Sequence, residues 1–217
     1  MVKAAKNFTT RERILATALQ LFNESGERNV TTATIAKNLG ISEGNLWYHF
    51  RTKRDLVFAL FGQLETAVDR NLSRLPQANA ELKDHLRYAA RAFEYLWEYR
   101  FLFRDRFENL EGEDFNRRVQ EMTVRGQKNV ERILRDMRDC GMLVITPEDA
   151  HALAINAWIV HSNWVGFLQA RDQISEITEA HIKEGFAQMM ALFNPYWAEE
   201  ARREASQLLS DFVPVKN

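Results

Sequence analysis

Residues 31–56 read TTATIAKNLGISEGNLWYHFRTKRDL and carry the strongest structural signal in the chain. Thr31 or Thr32 offers a hydroxyl to an otherwise unpartnered N–H at a helix start, and Ile35, Ala36 and Leu39 recur at helical spacing behind it. Gly40 breaks that short helix. Ser42 then caps another, on which Leu46 and Phe50 are spaced to face inward. Upstream, Thr9 and Glu12 make a capping box for a longer helix carrying Ile14, Leu15, Ala18, Leu21 and Phe22 and ending at Gly26. Downstream, Thr52 and Asp55 make a second box, opening a helix through Leu56, Leu60, Leu64, Ala67 and Leu72 toward Pro76. Two short helices joined by Gly40, Ile41 and Ser42 and braced by a longer one have the proportions of a helix-turn-helix. The second helix of such a unit fits a DNA major groove about 12 Å wide. Here it offers Glu43, Asn45, Tyr48 and His49, followed at once by Arg51, Lys53 and Arg54.

Charge is distributed to match. The chain has 217 residues and a formal net charge of −1, which by itself announces no partner. Residues 1–56, however, hold nine basic and five acidic side chains, a surplus of four positive charges, so the remainder is acidic by five. A basic head on an acidic body predicts that only the head meets a polyanion. Lys3 and Lys6 precede the first cap and are read as a solvated terminus or an arm on DNA. The lone cysteine, Cys140, cannot close an internal disulfide, and no secretory leader opens the sequence, so a reducing cytoplasm is the expected location. Ala150–Ala170 lacks charge but contains Asn156, Ser162, Asn163, Gln169 and two histidines, which predicts a helix buried in protein and no membrane span.

Only nine Gly and four Pro interrupt the chain, and the rest reads as long helices. Leu82, Leu86, Ala89, Phe93 and Leu96 form one stripe, with Tyr88 and Tyr95 on another side, so that helix should be central. Trp97, Tyr99, Phe101 and Phe103 alternate like a strand, yet Phe103, Phe107 and Leu110 also fit a helix, and the expectation is a helix that breaks between Tyr99 and Arg104. Phe115, Val119, Met122, Gly126, Val130, Ile133 and Met137 mark a long amphipathic helix ended by Gly141. Thr146, Pro147 and Asp149 start the next, another spans roughly Ser175 to Phe193, and Asn194 and Pro195 are read as opening the last, with Ala198, Ala201, Ala205, Leu208 and Phe212. The fold class is all-α: a three-helix head over residues 1–56 and a larger helical body over 57–217.

The pattern Thr31-Thr32-x-x-Ile35-Ala36-x-x-Leu39-Gly40-Ile41-Ser42, then Gly44-Asn45-Leu46-Trp47-Tyr48-His49-Phe50-x-x-Lys53-x-x-Leu56, resembles the DNA-binding head of the tetracycline-repressor (TetR) family. The resemblance covers about the first quarter of the chain. It implies that Thr32, Asn45, Trp47, Tyr48, His49 and Lys53 hold the DNA backbone while Glu43 and Gly44 face bases. The family has tyrosine where this chain has Trp47. An indole N–H reaches a phosphate differently from a phenol, and Tyr48 can take part of that role. Lys53 also falls in the first turn of a helix, where the macrodipole disfavours a cation, which a DNA contact would offset.

The resemblance further implies a homodimeric regulator responsive to a small molecule. The dimer would form through helices near 147–170 and 175–193, where small alanines and doubly apolar faces permit a four-helix bundle between subunits. A small apolar or aromatic effector would sit among Phe93, Trp97, Phe101, Met122, Trp158 and His161. Release of a double-stranded, pseudo-palindromic operator by that effector makes a repressor the first expectation. The alternatives are an activator, or a helix-turn-helix protein with no small-molecule control and a solid body. No phosphate loop, nucleophile elbow, metal spacing or cofactor motif assembles, and Cys140 lies beside Asp136 and Asp139, which oppose a thiolate, so no enzyme is expected.

Overall fold

The computed structural model describes residues 8–77, 79–104, 112–172 and 176–212. Lys3, Lys6, Phe107, Leu110 and Ser175 lie outside the described residues. Within them the helices are α1 (Thr10–Ser25), α2 (Thr32–Leu39), α3 (Glu43–His49), α4 (Lys53–Leu72), α5 (Leu82–Glu98), α6 (Arg100–Arg104), α7 (Glu113–Asp139), α8 (Pro147–Asp172), α9 (Glu179–Ala191) and α10 (Glu199–Phe212), and no strand forms. Among the described residues no helix is long and apolar enough to cross a membrane.

Local chemistry sets the helix starts. The Thr9–Glu12 and Thr52–Asp55 boxes both form, and of the two candidates at α2 it is Thr31 whose hydroxyl accepts the Thr34 N–H. The Thr146 hydroxyl accepts the Asp149 N–H at 3.1 Å, with Pro147 as the first helical residue, where its missing N–H costs nothing. Gly40 closes α2 at φ 66°, ψ 31°, a left-handed turn that would strain any residue with a Cβ.

The α5–α6 break falls at Tyr99, where tertiary contacts hold it. The Asn23 amide donates to the Glu98 carbonyl at 2.8 Å and its oxygen accepts the Phe101 N–H at 3.1 Å, so one α1 side chain satisfies the backbone groups that the break would otherwise orphan. The Arg104 guanidinium adds a bond to the Phe22 carbonyl, and the Phe101 ring packs 5.2 Å from Phe22.

The last helix departs from expectation. Asn194 and Pro195 do not open it; α10 starts at Glu199. The intervening backbone pairs instead with the turn after α7, the Val144 N–H donating to the Tyr196 carbonyl and the Ala198 N–H to the Met142 carbonyl. That antiparallel bridge buries Trp197 against Leu143. Burying an indole stabilises more than four extra residues of exposed helix would.

Two apolar clusters hold the molecule. One joins the head helices and α4 to Tyr95, Phe101, Phe115 and Met122 of the body. The other fills the space between α5, α7, α8, α9 and α10. α4 runs through the first cluster without interruption, placing Leu56, Leu60 and Leu64 inside it. The body helices approach closely where glycine allows: a Cβ on Gly126 of α7 would lie 2.4 Å from the Trp158 indole, and one on Gly185 of α9 would lie 2.4 Å from Trp164.

Candidate functional site

The Ser42 hydroxyl accepts the Asn45 N–H at 3.2 Å, fixing the start of α3. Leu46 and Phe50 turn into the head core, leaving Gly44, Asn45, Trp47 and Tyr48 on the opposite, exposed side. Tyr48 is 81% exposed, its ring edge-on to His49 at 5.2 Å, and His49 is half-buried. A large aromatic held that far out gains nothing from folding, as expected of a side chain kept for another molecule.

Thr32, Glu43 and Lys53 are engaged inside the head. The Thr32 hydroxyl donates to a Glu43 carboxylate oxygen at 2.8 Å, tying the start of α2 to the start of α3. Lys53 turns its ammonium to Glu27, 2.9 Å from the carboxylate and 3.0 Å from that residue's carbonyl. Glu27 belongs to a short 3-10 turn, Glu27–Asn29, and is only 5% exposed. The cation's awkward position on α4 is thus offset from within the chain. The sequence offered little sign of this, since an acid in a polar loop usually reads as solvated.

Inside the body lies a cavity of about 220 Å³, walled by α4, α5, α7, α8 and α9. Val68 and Leu72 come from α4, His85 and Tyr88 from α5, Met122 and Val130 from α7, Trp158 and His161 from α8. Of the six side chains expected around an effector, Met122, Trp158 and His161 line this space. Phe93 lies one layer behind, its ring edge-on to His161 at 5.0 Å. Trp97 and Phe101 are elsewhere: Arg100 covers the Trp97 ring at 3.9 Å, and Phe101 serves the head–body junction. A larger groove of about 950 Å³ between α1, α4 and α5 is open and charged, lined by Arg11, Arg70, Arg74, Arg87 and Arg91 among others. The smaller space is the more enclosed and the more apolar of the two.

Its polar groups are few. His161 Nε2 lies 3.2 Å from the Ala92 carbonyl, which can only accept, so that nitrogen carries the hydrogen and Nδ1 is left bare. His85 was not anticipated, although it lies on the apolar side of α5, three residues after Leu82 and four before Ala89. It is 3% exposed, and neither of its ring nitrogens has a hydrogen-bond partner, nor does His161 Nδ1. Burial depresses both imidazoles below their ordinary value; Asp136 and Asp84 oppose this in part at His85, and the Ala92 carbonyl does so at His161. Burial, with Tyr95 nearby, pushes the Tyr88 phenol up to about 12. All three groups are uncharged at neutral pH.

A capped, polar-faced second helix on an all-helical body that encloses a cavity defines a helix-turn-helix DNA-binding regulator. Residues 14–60 match the family model for bacterial regulatory proteins of the tetR family, and residues 63–205 match the TetR model described as a bacterial transcriptional repressor. The chain belongs to the TetR family of transcriptional regulators, which bind DNA and are not enzymes. A TetR-family transcriptional regulator from Marinobacter aquaeolei VT8 is similar in structure at a TM-score of 0.83, with 35% identity over 95% of this chain and 100% of that one. The regulator BetI of Escherichia coli is 34% identical over 87 residues, 38% of this chain and 45% of BetI, so the chain spans less than half the length of that curated relative. A transcriptional regulator from Saccharomonospora viridis in complex with choline shares the fold at a TM-score of 0.63 and 18% identity, covering 87% of this chain and 98% of that one.

Proposed function

We propose that this protein is a homodimeric repressor that holds a pseudo-palindromic operator with two α3 helices and releases it when a small molecule fills the body cavity. The observation that carries this reading is that α4 belongs to both sites. Its first half lies in the head core through Leu56, Leu60 and Leu64, and its second half forms cavity wall through Val68 and Leu72. A helix of 20 residues is a rod about 30 Å long, so a displacement imposed at Leu72 reaches the head. Arg118 and Arg125 of α7 are paired with Glu65 and Asp69 of α4, and they resist that displacement in the empty state. An effector shifts operator affinity only by its difference in affinity between the two positions of α4.

In this reading Gly44, Asn45, Trp47 and Tyr48 meet the DNA directly, and His49 stands beside Tyr48. Glu43, oriented by Thr32, accepts from a base edge. Lys53 acts at the backbone while braced by Glu27. Dimerisation is supported by α8, whose exposed row Ile155, Ile159, Asn163 and Phe167 is apolar at three of its four positions. Two heads about 34 Å apart would reach successive major grooves on one side of the duplex.

Control by a ligand is favoured over a solid-bodied DNA-binding factor by the cavity itself. The Saccharomonospora viridis regulator holds choline, a cation. The lining here has aromatic rings but no carboxylate to neutralise a buried cation. The test is to select bound duplexes from random DNA with the purified protein, then repeat the binding at rising salt and with candidate ligands. A palindromic selection whose affinity falls steeply with salt is expected; affinity for no duplex would sink the reading.

A further inference from the structure

We propose that the body cavity selects an uncharged, single-ring or small fused-ring molecule carrying one hydroxyl or amide-like group, and that His85 and His161 recognise that group. This inference rests on the effector reading above and names the ligand class.

Size comes first. A cavity of about 220 Å³ is larger than one of about 150 Å³ that accepts benzene and smaller than the range of about 300–1,000 Å³ typical of drug-sized ligands. Charge comes next. None of the lining residues is Asp, Glu, Lys or Arg, and a charged ligand entering such a wall would lose its hydration with no counter-ion to replace it. A carboxylate and a hydrophobic amine are disfavoured on this ground, and for a quaternary ammonium the aromatic faces offset the lost hydration only in part.

The polar requirement follows from hydrogen bonding already in place. The Tyr95 hydroxyl is used by the Ala67 carbonyl, and the Ser162 hydroxyl by the Trp158 carbonyl. Asn71, Tyr88 and Thr123 also contribute polar atoms to the wall, but the fully buried ones that lack any partner among the described residues are His161 Nδ1, which can only accept, and the two nitrogens of His85, one donor and one acceptor. Leaving three buried imidazole nitrogens unbonded is costly, and native structures seldom do it without a purpose. A hydroxyl on the ligand donates to one imidazole and accepts from the other, while its ring packs on Trp158 and Met122. Neutral imidazoles are required for this exchange, and burial keeps them neutral.

The test uses the full chain and four single-ring probes: p-cresol, toluene, benzoate and benzyltrimethylammonium. Binding is read by calorimetry and thermal shift, and operator release by mobility shift. p-Cresol should bind about tenfold more tightly than toluene, the increment of one or two buried hydrogen bonds, and the two ions should not bind. In a His85→Leu, His161→Leu double variant p-cresol and toluene should bind within about twofold of each other, with toluene's affinity retained as proof of an intact cavity. His85→Asn, which keeps a donor and an acceptor, should recover part of the preference. Preference for either ion, equal binding of p-cresol and toluene by the unaltered protein, or binding of no probe overturns the ligand class. If p-cresol binds as described but leaves operator affinity unchanged, the ligand class stands and effector control fails.

Discussion

The Lys53 ammonium lies 2.9 Å from the carboxylate of Glu27 and 3.0 Å from its carbonyl oxygen, joining the first turn of α4 to the turn that follows α1. The pair is part-buried, at the side-chain level about one-third exposed for Lys53 and almost closed for Glu27. The same lysine is thus a structural fastener of the head as well as a positive charge near the DNA-facing helix. A single substitution there has to be read on both counts.

Lys53→Met should lower stability by about 1–3 kcal/mol, because the buried Glu27 carboxylate loses its ammonium. For a chain of this size that is a drop of roughly 2–10 °C in melting temperature. Operator affinity should also fall, equally for all sequences. Thermal unfolding and mobility shift on the same preparation separate the two effects. An unchanged melting temperature would mean that the pair contributes nothing to the fold.

Tyr48→Phe removes one hydroxyl from a side chain that is almost fully exposed. Melting should not move, whereas affinity for every duplex should drop by about 1–2 kcal/mol, the scale of a hydrogen bond to phosphate. Thr32→Val should behave differently: releasing Glu43 from its 2.8 Å bond should relax base preference at one position of each half-site, visible on repeating the duplex selection.

Gly126→Ala places a methyl group 2.4 Å from the Trp158 ring. The indole must move, at a cost of about 1–3 kcal/mol, and the cavity it lines changes shape. Trp158→Phe removes the ring atoms that clash, so the double variant should be less destabilised than the sum of the two single ones. A strictly additive double mutant would show that α7 and α8 do not approach as closely as described.

Stability should depend on pH through the two buried imidazoles. Both are depressed below the ordinary 6.5 by burial, so the unfolded chain binds protons more readily than the folded one as pH falls through that value. Stability is therefore intact above about pH 6.5 and erodes below it. Melting curves between pH 8 and 5 should fall on the acid side, and His85→Leu, His161→Leu should flatten that limb. An unaltered slope in the double variant would remove these two groups from the cause.

Ile159 and Phe167 are 52% and 47% exposed on one side of α8. Ile159→Lys with Phe167→Asp should leave the fold intact, since neither residue is buried, but yield a monomer by analytical ultracentrifugation. Operator affinity should then fall by at least about a hundredfold, because one head reads only half a site. A variant that stays dimeric would place the interface elsewhere.

The head was legible in the sequence because its determinants are local. Caps at Thr9, Ser42 and Thr52, the left-handed turn at Gly40 and the inward spacing of Ile35, Leu46 and Phe50 act within a few residues of one another. The body's helices followed from periodicity too. What misled was the start of α10, where a proline after an asparagine reads as a helix opening until one knows that Trp197 is drawn against Leu143. Among the six expected effector residues, Phe101 and Trp97 have the right chemistry in the wrong place: aromatic spacing says that a side chain is buried but not in which of two clusters.

The order of residues by itself determined an all-helical chain, a capped helix-turn-helix and a basic head on an acidic body, since helix caps, apolar periodicity and charge blocks are short-range properties. Only the tertiary structure decided that Lys53 pairs with Glu27, that Asn23 holds the α5–α6 break and that His85 faces His161's cavity with both nitrogens unbonded. Those relationships join residues 26 to 78 positions apart, and no local rule links side chains across such separations. They exist because the long helices pack at particular depths and rotations, which the summed burial of many side chains selects.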